Sequence, residues 1–191
     1  MPRVYLVMAI IGAGLLALGS TFLLAVPLVS DHASPSSLFL KGQVDLKLYD
    51  QSGRLKDERH FDNLIVNSGI QGVANLIAPA GGGSGSPFNY IALGTGTTPV
   101  NAAQTALVAE FPASSGYSRI NVPVAAFSTS NNQLLLSATF GPGQATGPIS
   151  ESGVFNAANG GTMLARQTFS TINKGMSDSL TVSWAIVLSS S

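Results

Sequence analysis

No cysteine occurs in the 191 residues, which removes disulfide staples, thiol nucleophiles and every thiolate metal site. Histidine is nearly missing too. His32 sits in a polar stretch and His60 in a charged one, so neither a Ser-His-Asp triad nor a histidine metal centre has the partners it requires. Nine basic and nine acidic residues cancel to a formal net charge of +0, leaving no long-range field to attract nucleic acid or an acidic substrate. The sequence contains no Asn-x-Ser/Thr sequon, so N-glycosylation is not expected, and Trp184 is its single tryptophan.

The few charges that exist are unevenly placed. Ten of them lie between Lys41 and Asp62, whereas from Asn63 to Ser191 only Glu110, Arg119, Glu151, Arg166, Lys174 and Asp178 remain. The surface of that longer part must therefore be built from Ser, Thr, Asn, Gln and Gly. Such a surface suits a subunit packed against others better than a solitary soluble domain.

What the chain has in abundance is a long apolar run. Val4 to Ser30 carries no charged residue, Arg3 precedes it and Asp31 follows it. Val4 to Ala25 meets the roughly 20 residues that a membrane helix needs at about 1.5 Å each, and Pro27 stands where such a helix can end. Residues 1–30 are thus expected to be a transmembrane anchor, with Arg3 inside and everything after Asp31 outside. A cleaved secretory signal is the rival reading, with Ala17-Leu18-Gly19 as the cleavage site and an apolar tail left behind it. Ala9, Ala13 and Ala17 recur at every fourth position, which reads as an Ala-rich apolar helix.

Residues 31–40 read as a linker, and 41–191 as one β-rich domain. Val44, Leu46 and Leu48 alternate with polar residues in a half-buried strand, and "DQSGR" turns the chain into a second, highly charged arm near Leu55–Phe61 that reads as a solvated edge strand. A short amphipathic helix is expected next, with Asn67 or Ser68 as its cap and Ile70, Val73, Ala74 and Ile77 as its apolar face. The glycine-rich segment 81–86 reads as a flexible loop. Six further strands are expected near Asn89–Leu93, Arg119–Ala126, Gln133–Phe140, Ile149–Phe155, Thr162–Phe169 and Leu180–Leu188; Pro123 marks an edge or bulge. In the last strand Leu180, Val182, Trp184, Ile186 and Leu188 share one face. Short strands at this spacing imply a mainly β fold, an antiparallel sandwich of jelly-roll or immunoglobulin-like kind.

"NYIALGTGTTPVNAAQTALVAE", Asn89–Glu110, superficially suggests a phosphate-binding loop. It has no lysine, so the Walker pattern fails; Gly94 and Gly96 give G-x-G, but Pro99 stands where the dinucleotide fingerprint has its third glycine. Turn architecture is the reading that remains. No cofactor or metal is expected.

The order "NLIVNSGIQGVANLI", "NYIALGTGTTPVNAAQTALVAE", Arg119, "ISESGVFNAANGGTMLARQTFS" and "SLTVSWAIVL" resembles a domain of tailed-phage and prophage structural proteins, tail-fibre or tail-associated, with related-looking domains in bacterial and archaeal surface proteins. The resemblance spans about Lys41 to Leu188 and implies recurrent positions at Glu110, Arg119, Glu151 and Arg166, without a catalytic role. Physically, two acids and two arginines in a nearly uncharged domain suggest mutual structural ion pairs. Asp57 and Glu58, being adjacent in a strand, point to opposite faces and cannot form a catalytic pair.

The expectation is a non-enzymatic structural protein, membrane-anchored and outward-facing, associating with copies of itself or with other subunits on a virion or cell-surface structure. Two other classes stay open: a secreted, pilus-like filament subunit that uses its apolar tail for strand complementation, and an adhesion module that binds a glycan or host receptor.

Overall fold

The structure, a computed structural model, describes residues 38–77, 85–122 and 132–190. The apolar run Val4–Ala25, the cleavage site, most of the linker, the tip of the glycine-rich loop and the stretch from Pro123 to Ala126 lie outside the described residues.

The described residues form eight strands, one α-helix and a short 3-10 helix (Ala113–Ser115): β1 (Leu38–Tyr49), β2 (Leu55–Ile65), α1 (Asn67–Ile77), β3 (Tyr90–Gly94), β4 (Ile120–Asn121), β5 (Gln133–Phe140), β6 (Gly147–Phe155), β7 (Met163–Lys174) and β8 (Ser179–Ser190). β1 begins at Leu38, inside the stretch read as linker. Among the described residues no helix is long and apolar enough to cross a membrane.

The fold is mainly β, and its strand pairs are all antiparallel, in the order β4-β3-β6-β7-β2-β1-β8-β5. The end strands β4 and β5 approach each other, so this single sheet curls into a nearly closed barrel. The sandwich expectation is met only in its antiparallel β character. Two separate sheets are not formed, because β2 belongs to both halves: Gly42–Tyr49 of β1 pair with its residues Asn63–Leu55, and its last two residues, Leu64 and Ile65, pair with Arg166 and Ala165 of β7. β2 is interior in the strand order, yet its charged part, Leu55–Phe61, has one ladder partner among the described residues and is locally the edge that its charges suggest. Its charged part lies where β2 has left β7 and has β1 as its ladder partner.

The alternating pattern places the core. Val44, Leu46 and Leu48 of β1 point inward together with Leu180, Val182, Trp184 and Ile186 of β8 and Leu136, Ala138 and Phe140 of β5, all buried. From the other half Ile91, Leu93, Ile149, Val154, Leu164 and Ile172 meet them in the same cluster. The Trp184 indole N–H donates to Ser152 Oγ across the interior at 3.2 Å, so the large ring is buried without an orphaned donor. On the outer face the complementary residues form hydroxyl pairs, Thr139 with Thr181 and Ser137 with Ser183, each 2.9 Å apart.

The helix forms where expected but uses another face. Ile70 and Ile77 are exposed, while Gly69 is buried and Val73 packs against the core. Glycine dictates this choice: a Cβ on Gly69 would overlap the Leu164 carbonyl oxygen, and one on Gly72 would run into the Phe88 ring. Helix and strand touch backbone to backbone, an approach closed to any larger residue.

At the opposite end from the Leu64/Arg166 junction, Lys56 of β2 reaches Asp178 in the β7–β8 turn at 2.6 Å. The Lys56 ammonium, with the Gly175 N–H, holds the Asp178 carboxyl below its usual range. Because the folded value is depressed, the contribution is present above the ordinary carboxylate value and is lost as pH falls through the folded one.

Both contacts are open to measurement. Gly69→Ala lowers stability by about 1–3 kcal/mol in urea denaturation, despite the helix preference of alanine of about 1 kcal/mol, because the Leu164 backbone cannot yield. Asp178→Asn lowers Tm at neutral pH, and the gap from the parent closes as pH is taken below about 4; a gap independent of pH would show that the carboxylate charge contributes nothing.

Candidate functional site

The four charged residues singled out in the sequence come together as two pairs on neighbouring parts of the β3–β6–β7 half. Glu151 of β6 and Arg166 of β7 are both fully buried. Arg166 Nε–H donates to Glu151 Oε2 at 2.8 Å; Nη2 lies 2.7 Å from the same oxygen as an electrostatic contact without a hydrogen bond. Nη1 donates to the Thr98 carbonyl at 3.0 Å and to Gln104 Oε1 at 2.9 Å.

The carboxylate has three more donors, all from the backbone of the glycine-rich stretch. Gly96 N–H (3.1 Å) and Ala109 N–H (2.7 Å) donate to Oε1, and Val108 N–H (3.1 Å) donates to Oε2. The segment that looks like a phosphate loop therefore does cradle an anion, and the anion is the chain's own Glu151. Its glycines are required by proximity. A Cβ on Gly94 would lie 2.6 Å from Glu151 Oε1, and one on Gly96 would overlap the same oxygen. With every lone-pair direction taken from within, the loop has no room for an external phosphate.

Gln104, which sequence reasoning did not single out, locks the same loop. Its Oε1 accepts from Asn101 N–H at 3.0 Å as well as from Arg166, while Asn101 Oδ1 accepts from Ala103 N–H at 2.8 Å. The Asn-x-x-Gln spacing that produces this reciprocal pattern is visible in the sequence as a capping-box signature, here closing a turn rather than a helix.

The second pair is more open. Arg119 binds Glu110 bidentately, Nε to Oε1 and Nη2 to Oε2, both at 2.8 Å. Its Nη1 donates to the carbonyls of Ala157 (3.0 Å) and Gly160 (2.7 Å), and its guanidinium stacks 3.6 Å from the Phe155 ring centroid. Tyr117, also missed from sequence, donates its hydroxyl to Glu110 at 2.9 Å and accepts from Leu93 N–H at 3.0 Å. Burial pushes the Tyr117 phenol far above its ordinary value, so it stays a donor at any physiological pH. Together with Phe111, Asn159 and Gly160 these groups line a half-open recess of about 260 Å³. It is a wall of satisfied hydrogen bonds suited to a small polar contact, without a paired nucleophile and base.

His60 lies elsewhere, on the outer face of the β1–β2 hairpin, where the Asp45 carboxylate beside it raises its pKa. Asp57 pairs with Arg59, and Glu58 with Lys47 at 3.0 Å, on opposite faces of β2. Among the described residues no three His, Asp or Glu side chains gather as a metal site would need.

Comparison of the chain with protein-family models, with curated proteins and with solved structures gives no match.

The Glu151–Arg166 pair makes the sharpest prediction here. Arg166→Met leaves a buried carboxylate without its counter-charge and is expected to cost about 3–5 kcal/mol in thermal or urea unfolding, as is Glu151→Ala; the double variant, which removes both charges, is expected to recover part of that loss. Strict additivity in the double-mutant cycle would show that the pair is not coupled.

Proposed function

We propose that this chain is a non-enzymatic structural subunit: an apolar segment, Val4–Ala25, holds it in a membrane, and the β domain stands outside and packs against neighbouring subunits of a virion or cell-surface structure. The observation that carries the assembly part is the fate of the charges. Each of the six charged residues after Asn63 has an internal partner: Glu110 with Arg119, Glu151 with Arg166, Lys174 with the Gly141 carbonyl, and Asp178 with Lys56. The outer surface of that part is left to hydroxyl and amide groups, with exposed apolar side chains such as Val108, Leu135 and Met176 among them. A face without repelling charge associates readily, and nothing on it keeps copies apart.

The absence of a nucleophile paired with a base at the Glu110–Arg119 recess favours architecture over catalysis. The resemblance to tail-associated domains agrees with the same reading, and the apolar segment adds the membrane to it.

Fractionation of the natural source, followed by intact-mass measurement and N-terminal sequencing, tests both halves. The expected result is a chain with residues 4–25 retained, released from membranes by detergent but not by about 1 M salt, and oligomeric at that ionic strength, since few charges are exposed to screening. A chain starting near Ser20 would replace the anchor with a secreted filament subunit; a monomer at all concentrations would remove the assembly reading.

A further inference from the structure

The ladder between β1 and β2 stops at Gly42 and Asn63, while β1 continues back to Leu38 alongside β8 alone. β2 turns away toward β7 at Leu64. The divergence opens a groove of about 710 Å³ between the two strands, with Ile70 of α1 on its rim. Its lining is unusual for this molecule. Leu38, Phe39 and Ile70 are about half exposed, at 55%, 48% and 51%, and the Asn63 amide, beside Gly42, has both polar atoms shielded from solvent and unpaired. One cation, Lys41, and one anion, Asp62, line the groove as well, and they form no ion pair with each other. Among the described residues Asp62 accepts one hydrogen bond, from Gln43 at 3.3 Å.

This set of groups is complementary to itself. One positive charge, one negative charge and an apolar rim are what a second identical surface would need to find. A two-fold axis that exchanges Lys41 with Asp62 of the other copy satisfies both charges and covers the three exposed apolar side chains. Like charges would face each other if a generic acidic or basic partner took the same place. We infer that the groove between β1 and β2 is a self-association surface, in which Lys41 of one copy meets Asp62 of another across a two-fold axis and Leu38, Phe39 and Ile70 supply the apolar contact. The inference rests on the assembly reading above and gives it a surface. The charge pair sets register and partner choice, and the apolar rim supplies most of the affinity.

The symmetry provides the test. In Lys41→Asp, two acids face two acids across the axis, and in Asp62→Lys two lysines face two lysines, so each variant alone is expected to self-associate at least about tenfold more weakly than the parent. In an equimolar mixture of the two, the charge-reversed positions 41 and 62 face each other with opposite signs, as do the unaltered Asp62 of one chain and Lys41 of the other. The mixture is expected to recover association to within about threefold of the parent. No rearrangement within one chain can produce that recovery. Sedimentation equilibrium of the full chain in a mild detergent reads it, with Arg54→Asp mixed with Glu58→Lys as the control for simple attraction between oppositely charged chains. Recovery confined to the groove pair supports the inference. A parent that associates while its single variants associate equally well overturns this surface and leaves the assembly reading standing. Equal recovery in the control mixture also overturns it, and a parent that stays monomeric overturns both.

Discussion

A buried carboxylate organises one half of this molecule. Glu151 is in the middle of β6, with no access to water, and takes hydrogen bonds from Gly96, Val108, Ala109 and Arg166, which belong to the β3-side loop and to β7. Burying such a charge is expensive, and the pair with Arg166 need not add net stability over a well-packed apolar substitute. Its effect is on uniqueness. A loop of mostly small and polar residues, with few apolar anchors of its own, is given one conformation because three of its N–H groups have a single fixed acceptor. The loop in turn positions Gln104 and the Thr98 carbonyl on Arg166, so anion, cation and loop hold each other in place.

The strands were legible from sequence because two-residue alternation is a local signal: Leu180 to Ile186 read the same way in the chain and in the barrel. The helix was legible in position but not in orientation. Periodicity of large apolar residues favoured Ile70 and Ile77, whereas contact is made through Gly69, which has no side chain for a hydrophobicity pattern to register. The place of β2 was hidden for a related reason. Its charges describe its outward residues correctly, but its membership of two half-sheets is decided by its last two residues and by Arg166, far along the chain. In the candidate site, the absence of a lysine was enough to read the glycine-rich stretch as architecture. That its acceptor is Glu151 depends on a fold-level contact with no local trace, and Tyr117 is in the same position.

The economy of charge ties these features together. The domain places its opposite charges within hydrogen-bonding reach of each other inside, and concentrates what is left on one hairpin. Outside, cross-strand hydroxyl pairs such as Ser137 with Ser183 take over the role that ion pairs have on most β surfaces. The result is a surface divided into a small charged district and a large neutral one.

The way the barrel is completed has a consequence in time. β1 is the first described strand and β8 the last, yet they pair along their whole lengths, from Leu38 with Ser190 to Tyr49 with Ser179. A chain emerging from the ribosome can form the β1–β2 hairpin early, but the hairpin's β1 edge has no partner until residues 179–190 have emerged. Closing such a distant pair carries a large loop-entropy cost, which makes this topology slow to fold and leaves its apolar inner face exposed meanwhile. A chain of this topology gains from protection until residues 179–190 are made, and β8, twelve residues long, is the clasp that closes the barrel.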